Sequence, residues 1–219
     1  MKTFTIVIPT RNRIKKLERT LQTIPLLDCM HIHIICDGDS DSYNHFSNYR
    51  EDVGVTLIPS HNGSVFCRNY IISQEQDGVL YATDDILFSE GSIQKAFETF
   101  NRTFQDDDGV VGFKQDRSPQ DCPTGVALVG QKFLQRYPEK KLFFPGYFHF
   151  SAQEIYRLCC MIQKNVFITS DELRIKHLHP GFIKEEMDQT HVDARKYRNK
   201  DLKLAVDRQI SRIVWGKKQ

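Results

Sequence analysis

No apolar run in the chain approaches the ~18–20 residues of a bilayer-spanning helix; stretches such as Val126–Val129 and Leu158–Ile162 are typical. The first apolar segment, Phe4–Ile8, stops at Pro9, well short of the about 7–15 apolar residues of a secretory leader. A cytoplasmic protein is therefore expected. Paired cysteine patterns are also missing. Cys29, Cys36, Cys67, Cys122, Cys159 and Cys160 include no C-x-x-C, which excludes a zinc ribbon or a thioredoxin-like site. Without an export signal these thiols are expected to serve as small core hydrophobes. Neither sign of charge prevails: 30 Lys and Arg face 28 Asp and Glu, a net charge of +2. That balance names no nucleic-acid or membrane partner by itself. Neither a Walker loop nor a G-x-G-x-x-G turn occurs, which argues against P-loop hydrolysis and the usual dinucleotide fold.

What remains is an ordinary globular composition, 40% hydrophobic and 26% charged over 219 residues. Such a chain can bury a sizeable core in one large domain or two small ones. Strand-like runs at Phe4–Ile8, His31–Cys36, Val53–Ile58, Gly78–Ala82 and Gly109–Phe113 are interspersed with helical periodicity. Ile14, Leu17, Leu21 and Ile24 mark one helix face, and Ile93, Ala96, Phe97, Phe100 and Phe104 another. Ser64 is placed to cap a helix carrying Val65, Tyr70 and Ile72. This order predicts an α/β fold: a mostly parallel sheet with helices on both faces. Further on, Arg117–Thr124 reads as a loop, Gly125–Gly130 as a strand, Gln131–Tyr137 as a short helix, and Ala152–Ile162 as a longer one. A charged helical tail from Lys184 to Gln219 follows a domain expected over residues 1–183. Within that domain the regular alternation is expected over about 1–112 and a less regular half over about 113–183.

Ligands of an open parallel sheet bind beyond the carboxyl ends of its strands. Three such ends carry polar clusters: Pro9-Thr10-Arg11-Asn12-Arg13, Asp37-Gly38-Asp39-Ser40-Asp41 and Thr83-Asp84-Asp85. Each alone is ordinary turn chemistry. Together at one edge they set a basic corner beside carboxylates, which suits a phosphate ester bound through a divalent cation such as Mg2+ or Mn2+.

The blocks Phe4–Arg13, Ile34–Asp41, Asn62–Asn69 and Leu80–Leu87 resemble, in order and spacing, those of family 2 glycosyltransferases with the GT-A fold. A weaker likeness continues through Gly125–Tyr137 and Gly146–Pro180. The resemblance implies a nucleotide-sugar donor, a divalent metal, Mn2+ or Mg2+, and inversion by single displacement onto an acceptor hydroxyl. It assigns Pro9, Thr10, Arg11 and Asp37 to the nucleoside pocket and brings Arg68 close to the donor. Asp84 would approach the ribose and Asp85 would bind the metal. Gly38 stands where relatives often carry an Asp that helps read uracil, so UDP is the favoured donor nucleotide but not a fixed one.

An inverting transfer needs a base at the acceptor hydroxyl. In His149-Phe150-Ser151-Ala152-Gln153-Glu154 the one acid is Glu154, the first candidate, with His149 as the alternative. In His177-Leu178-His179-Pro180 the resemblance places His179 at the metal or diphosphate; a closing His-Pro turn is the plain alternative. The tail alternates cations with acids and aligns Leu202, Val206, Ile210 and Ile213 on one face, which could dock on the sheet or on a second subunit. The acceptor stays open among a saccharide, a lipid-linked group and a modified nucleic acid. A nucleotide-sugar-binding protein that has lost its chemistry is the competing reading.

Overall fold

Every residue of the first strand, β1 (Phe4–Thr10), is buried. It is an inner strand covered on both faces, which is why it reads as a continuous apolar run. The structure, a computed structural model, describes residues 2–75, 78–116, 125–149, 152–168, 174–179 and 187–217. After β1 come α1 (Ile14–Gln22), β2 (Met30–Asp37), α2 (Ser40–Phe46), β3 (Val53–Ile58), α3 (Ser64–Ile72) and β4 (Gly78–Tyr81). The chain continues through β5 (Ile86–Leu87), α4 (Ser92–Thr103), β6 (Val110–Phe113), β7 (Gln115–Asp116), β8 (Ala127–Val129) and α5 (Gln131–Leu134). It ends with α6 (Ala152–Met161), β9 (Asn165–Ile168), β10 (Ile175–His177) and α7 (Gln189–Ile210).

Seven strands form the main sheet in the order β3-β2-β1-β4-β8-β6-β9, and β5-β10-β7 form a small second one. All main pairings are parallel except those of β8, which runs antiparallel between β4 and β6. Alternate residues of each strand enter opposite cores. Phe4, Ile6, Ile8, Ile32, Ile34 and Leu80 face the core under α1 and α4, while Val7, Ile35, Val79 and Tyr81 face the one under α3 and α6. In register, Ile6 lies between Ile32 and Leu80, so β1, β2 and β4 end at one edge.

Four local expectations change. Ser64 begins α3 rather than capping it; Gly63 is the cap and no side chain bonds there. Tyr70 points outward, 42% exposed. Helix α2 carries no apolar periodicity and is held instead by Asp39, whose carboxylate accepts the Ser42 N–H at 3.1 Å. The loop expected at Arg117–Thr124 lies outside the described residues.

The fourth change concerns the tail. Helix α7 does not dock on the sheet domain through its aliphatic residues: Leu202, Val206, Ile210 and Ile213 are exposed. It buries His191, Asp201, Ala205 and Arg208 instead. The physical reason is a set of unsatisfied groups on the sheet domain. The Asp201 carboxylate accepts the N–H groups of Phe148 and His149, and Arg208 meets a buried acid on α6.

Candidate functional site

The turn after β4 aims Asp84 and Asp85 out of the sheet, yet both are almost wholly enclosed, 4% and 3% exposed. Thr10, the last residue of β1, donates its hydroxyl to Asp84 Oδ2 at 2.8 Å. Arg13 Nη1 donates to Asp84 Oδ1 at 2.9 Å and lies 3.5 Å from Asp85 Oδ2. Its other nitrogens bond Asp188, just before α7, at 2.9 and 3.1 Å. One guanidinium thus joins three carboxylates. Burial disfavours its charge, but Asp84, Asp85 and Asp188 outweigh burial and keep it a cation.

Three imidazoles complete the group. His177 Nε2 lies 3.2 Å from Asp85 Oδ1 and His191 Nε2 3.8 Å from Asp85 Oδ2. The His179 ring is 4.7 Å from that of His191 and 5.5 Å from that of His177. Burial pushes Asp85 up, but His177 and Arg13 overcome it and hold this carboxyl below its usual range. Asp84 goes the other way, raised by burial and by the neighbouring Asp85 charge against the pull of Arg13. His191 is lowered to about 4 by burial and the Arg13 cation, and His179 is lowered by burial and His177. Both rings are therefore neutral at neutral pH, and Arg13 Nη2 lies 2.9 Å from His191 Nε2. An ionised carboxylate beside neutral imidazoles is a donor set that suits Mn2+ or a similar cation. Among the described residues, no three such side chains already stand as a metal cage. Arg13 supplies the positive charge between them.

The other expected donor residues fasten loops. Pro9 is buried opposite Ile35 at the end of β1. Arg11 Nη1 donates to the Asp37 carbonyl at 2.8 Å. The Asp37 carboxylate accepts the Asn62 and Gly63 N–H groups at 2.8 and 2.9 Å, so both oxygens hold the segment entering α3. The structure also accounts for Gly38. Its φ is +65°, and a Cβ there would stand 2.9 Å from Arg11 Nη1 and from the His61 nitrogen. A second aspartate has no room at this position. Arg68, buried on α3, donates to the Ala82 carbonyl at 3.1 Å and lies over the Phe143 ring. It backs the Asp84–Asp85 turn with positive charge.

Glu154 does not join this cluster through any bond. Arg208 grips both its oxygens at 2.6 and 2.8 Å, the Trp215 N–H donates at 2.7 Å and the Tyr147 hydroxyl at 2.8 Å. Four donors saturate the carboxylate, which is 4% exposed. Its bonding is that of a clamp between α6 and α7, and it has no oxygen free for an acceptor proton. His149 follows the loop that Asp201 holds and contacts Ser64 Oγ through Nδ1 at 3.0 Å. Sequence reasoning named Arg13 and His177 without these roles, and missed Asp188 and His191 as members. The one local signal was Asp188 three residues before His191, an N-cap spacing, and it says nothing of what the cap faces.

A GT-A fold with an acidic turn at the carboxyl edge of its sheet defines a glycosyltransferase-class architecture. The chain belongs to the glycosyl transferase family 64 domain family, which matches residues 4–137. That is a glycosyltransferase family, though not the family 2 of the resemblance. The crystal structure of S. aureus TarS 1–349 is similar at a TM-score of 0.65 and 15% identity, over 82% of this chain and 61% of that one. The crystal structure of GalNAc-T7 with UDP, GalNAc and Mn2+ is similar at 0.64 and 13% identity, over 82% of this chain and 44% of that one. The chain thus spans less than two thirds of either structure. No curated protein matches it significantly. No helix among the described residues is long and apolar enough to cross a membrane.

Proposed function

We propose that the protein transfers a sugar from a nucleoside diphosphate donor, UDP-linked by preference, to an acceptor hydroxyl with help from Mn2+ or Mg2+. One observation carries this reading: Asp85 stands at the ligand edge 3.2 Å from His177 and 3.8 Å from His191, with the His179 ring packed on that of His191. Asp85 and His179 would hold the metal, with His177 and His191 at hand. Bound there, it would supply charge neutralisation for a departing diphosphate. Asp84, fixed by Thr10, is the ribose-facing carboxylate in this reading, and Arg68 supports the turn from behind. Pro9, Arg11 and Asp37 shape the nucleoside side by positioning its loops. The GalNAc-T7 structure, which contains UDP and Mn2+ on a similar fold, supports the choice of nucleotide and metal.

The expected stereochemistry is inversion, which requires an enzyme base. The clamped Glu154 favours a second reading on this point alone. If the acceptor proton goes to the departing phosphate oxygen, attack comes from the donor's own face and configuration is retained. Calorimetry of UDP with and without Mn2+ tests the site. Mn2+ should tighten UDP binding in the parent and not in Asp85→Asn; an undiminished Mn2+ effect in the variant refutes the assignment. The anomeric proton coupling of the product decides between inversion and retention.

A further inference from the structure

Helix α7 is polar on the side it buries and aliphatic on the side it exposes. Asp201 and Arg208 are buried, whereas Leu202, Val206 and Ile210 are 47%, 45% and 75% exposed, and Ile213 just beyond is 41% exposed. Spacings of four place Leu202, Val206 and Ile210 in one stripe. Cations flank it on both sides. Arg195, Arg198, Lys200, Lys203, Arg212 and Lys217 are exposed, while Asp207 is the only acid of this segment that is. The neighbouring Lys196 pairs with Asp193 at 2.8 Å, one turn away on the same helix. Beside the stripe, Arg157 of α6 bonds Gln209 at 3.0 Å.

We infer that the outer face of α7 is a docking surface for an anionic lipid bilayer. Aliphatic side chains between two rows of cations match the boundary between acyl chains and acidic headgroups, where the stripe is buried and each cation meets a phosphate. A nucleic acid would satisfy the cations but offer the aliphatic stripe nothing. A second copy would cover the stripe but bring two cationic borders together with Asp207 alone to offset them. The helix that would lie on the membrane reaches the acidic cluster at its first turn through Asp188 and His191. Seating it would bring the ligand edge beside anything the bilayer carries. The inference rests on the exposed face of α7 and stands whether or not transfer occurs.

The test is co-sedimentation of the full chain with phosphatidylcholine vesicles, plain or containing about one-third phosphatidylglycerol. Binding is expected to the acidic vesicles only and to weaken with salt. Replacing Arg198 and Lys203 by Gln should lower partitioning roughly 5-fold per cation removed. Val206→Ser with Ile210→Ser should lower it by at least ~10-fold. Circular dichroism and UDP binding should stay at parent values in both variants, since none of these residues touches the ligand edge. Absence of binding to acidic vesicles overturns the inference. So does binding that ignores the aliphatic substitutions, a shift of duplex DNA in place of vesicle binding, or a dimer that those substitutions dissolve.

Discussion

Arg208 and Glu154 form a two-pronged ion pair across α7 and α6, with bonds of 2.6 and 2.8 Å, and the Trp215 N–H closes the same carboxylate. The acid with the best claim on catalysis by position in the sequence is thus the point where the tail is fastened. Removing one partner of a buried pair leaves the other charge uncompensated. Glu154→Gln is expected to cost about 3 kcal/mol of stability, read as a shifted urea midpoint. Turnover measured well below the melting point should stay within ~3-fold of the parent, where loss of a general base would cost ~10²-fold.

The same pair sets a pH dependence. Burial favours the neutral acid, but Arg208, the Trp215 N–H and Tyr147 outweigh it, so the folded pKa lies below the ordinary 4.5. The unfolded chain then binds the proton more readily, and stability rises with pH across that window. The contribution is complete above 4.5 and is lost as the pH falls through the lower, folded value. In melting curves, the gap between the parent and Glu154→Gln should be widest at neutral pH and should narrow below pH 4.5. A gap that is constant in acid would separate the ion pair from the stability difference.

Arg13 lies where a metal at Asp85 would feel it most, 3.5 Å from that carboxylate. Two cations at such range repel unless a diphosphate arrives to bind both. Arg13→Gln should therefore bind Mn2+ at least ~10-fold more tightly than the parent when no nucleotide is present, while UDP affinity falls. Electron paramagnetic resonance of free Mn2+ measures the first effect and calorimetry the second. Weaker Mn2+ binding by the variant would show that Arg13 organises the cluster rather than competes within it.

His177, beside the resemblance-matched His179, lies in direct contact with Asp85, its Nε2 3.2 Å from Oδ1. His177→Ala is expected to weaken Mn2+-assisted UDP binding at least as much as His179→Ala, by ~10-fold. Uridine binding should change little in either variant. Losses confined to His179→Ala would restore the order suggested by the sequence alone.

Gly63 shows how closely the 147–149 loop is fitted against the start of α3. Its φ is +89°, and a Cβ would stand 2.6 Å from the Phe148 carbonyl oxygen. Gly63→Ala is expected to cost ~2–3 kcal/mol through backbone strain and displacement of the 147–149 loop. Near-parent thermal stability would mean that the loop yields without cost.

The sheet and the acidic turn were legible in the sequence because their causes are local. Strands buried on both faces need unbroken apolar runs, as in Phe4–Ile8, and a turn at the ligand edge of β4 needs short polar residues, as in Thr83-Asp84-Asp85. Even Gly38, a departure from the resembling pattern, follows from one positive φ and its neighbour Arg11. The partners of those residues were not legible. Arg13 and Asp188 are 175 positions apart, and no periodicity links a carboxylate before a tail helix to an arginine after the first strand. The inward face of α7 is hidden from the sequence for the same reason. Its aliphatic stripe satisfies the helical period, but the sheet domain presented N–H groups at Phe148 and His149 and the Glu154 charge, and these drew Asp201 and Arg208 inward. Residue patterning determines which segments form strands and helices because each pattern is written along the chain. Which face a helix turns inward, and which charge neutralises which, depends on what burial leaves unpaired, and only the tertiary structure decides that.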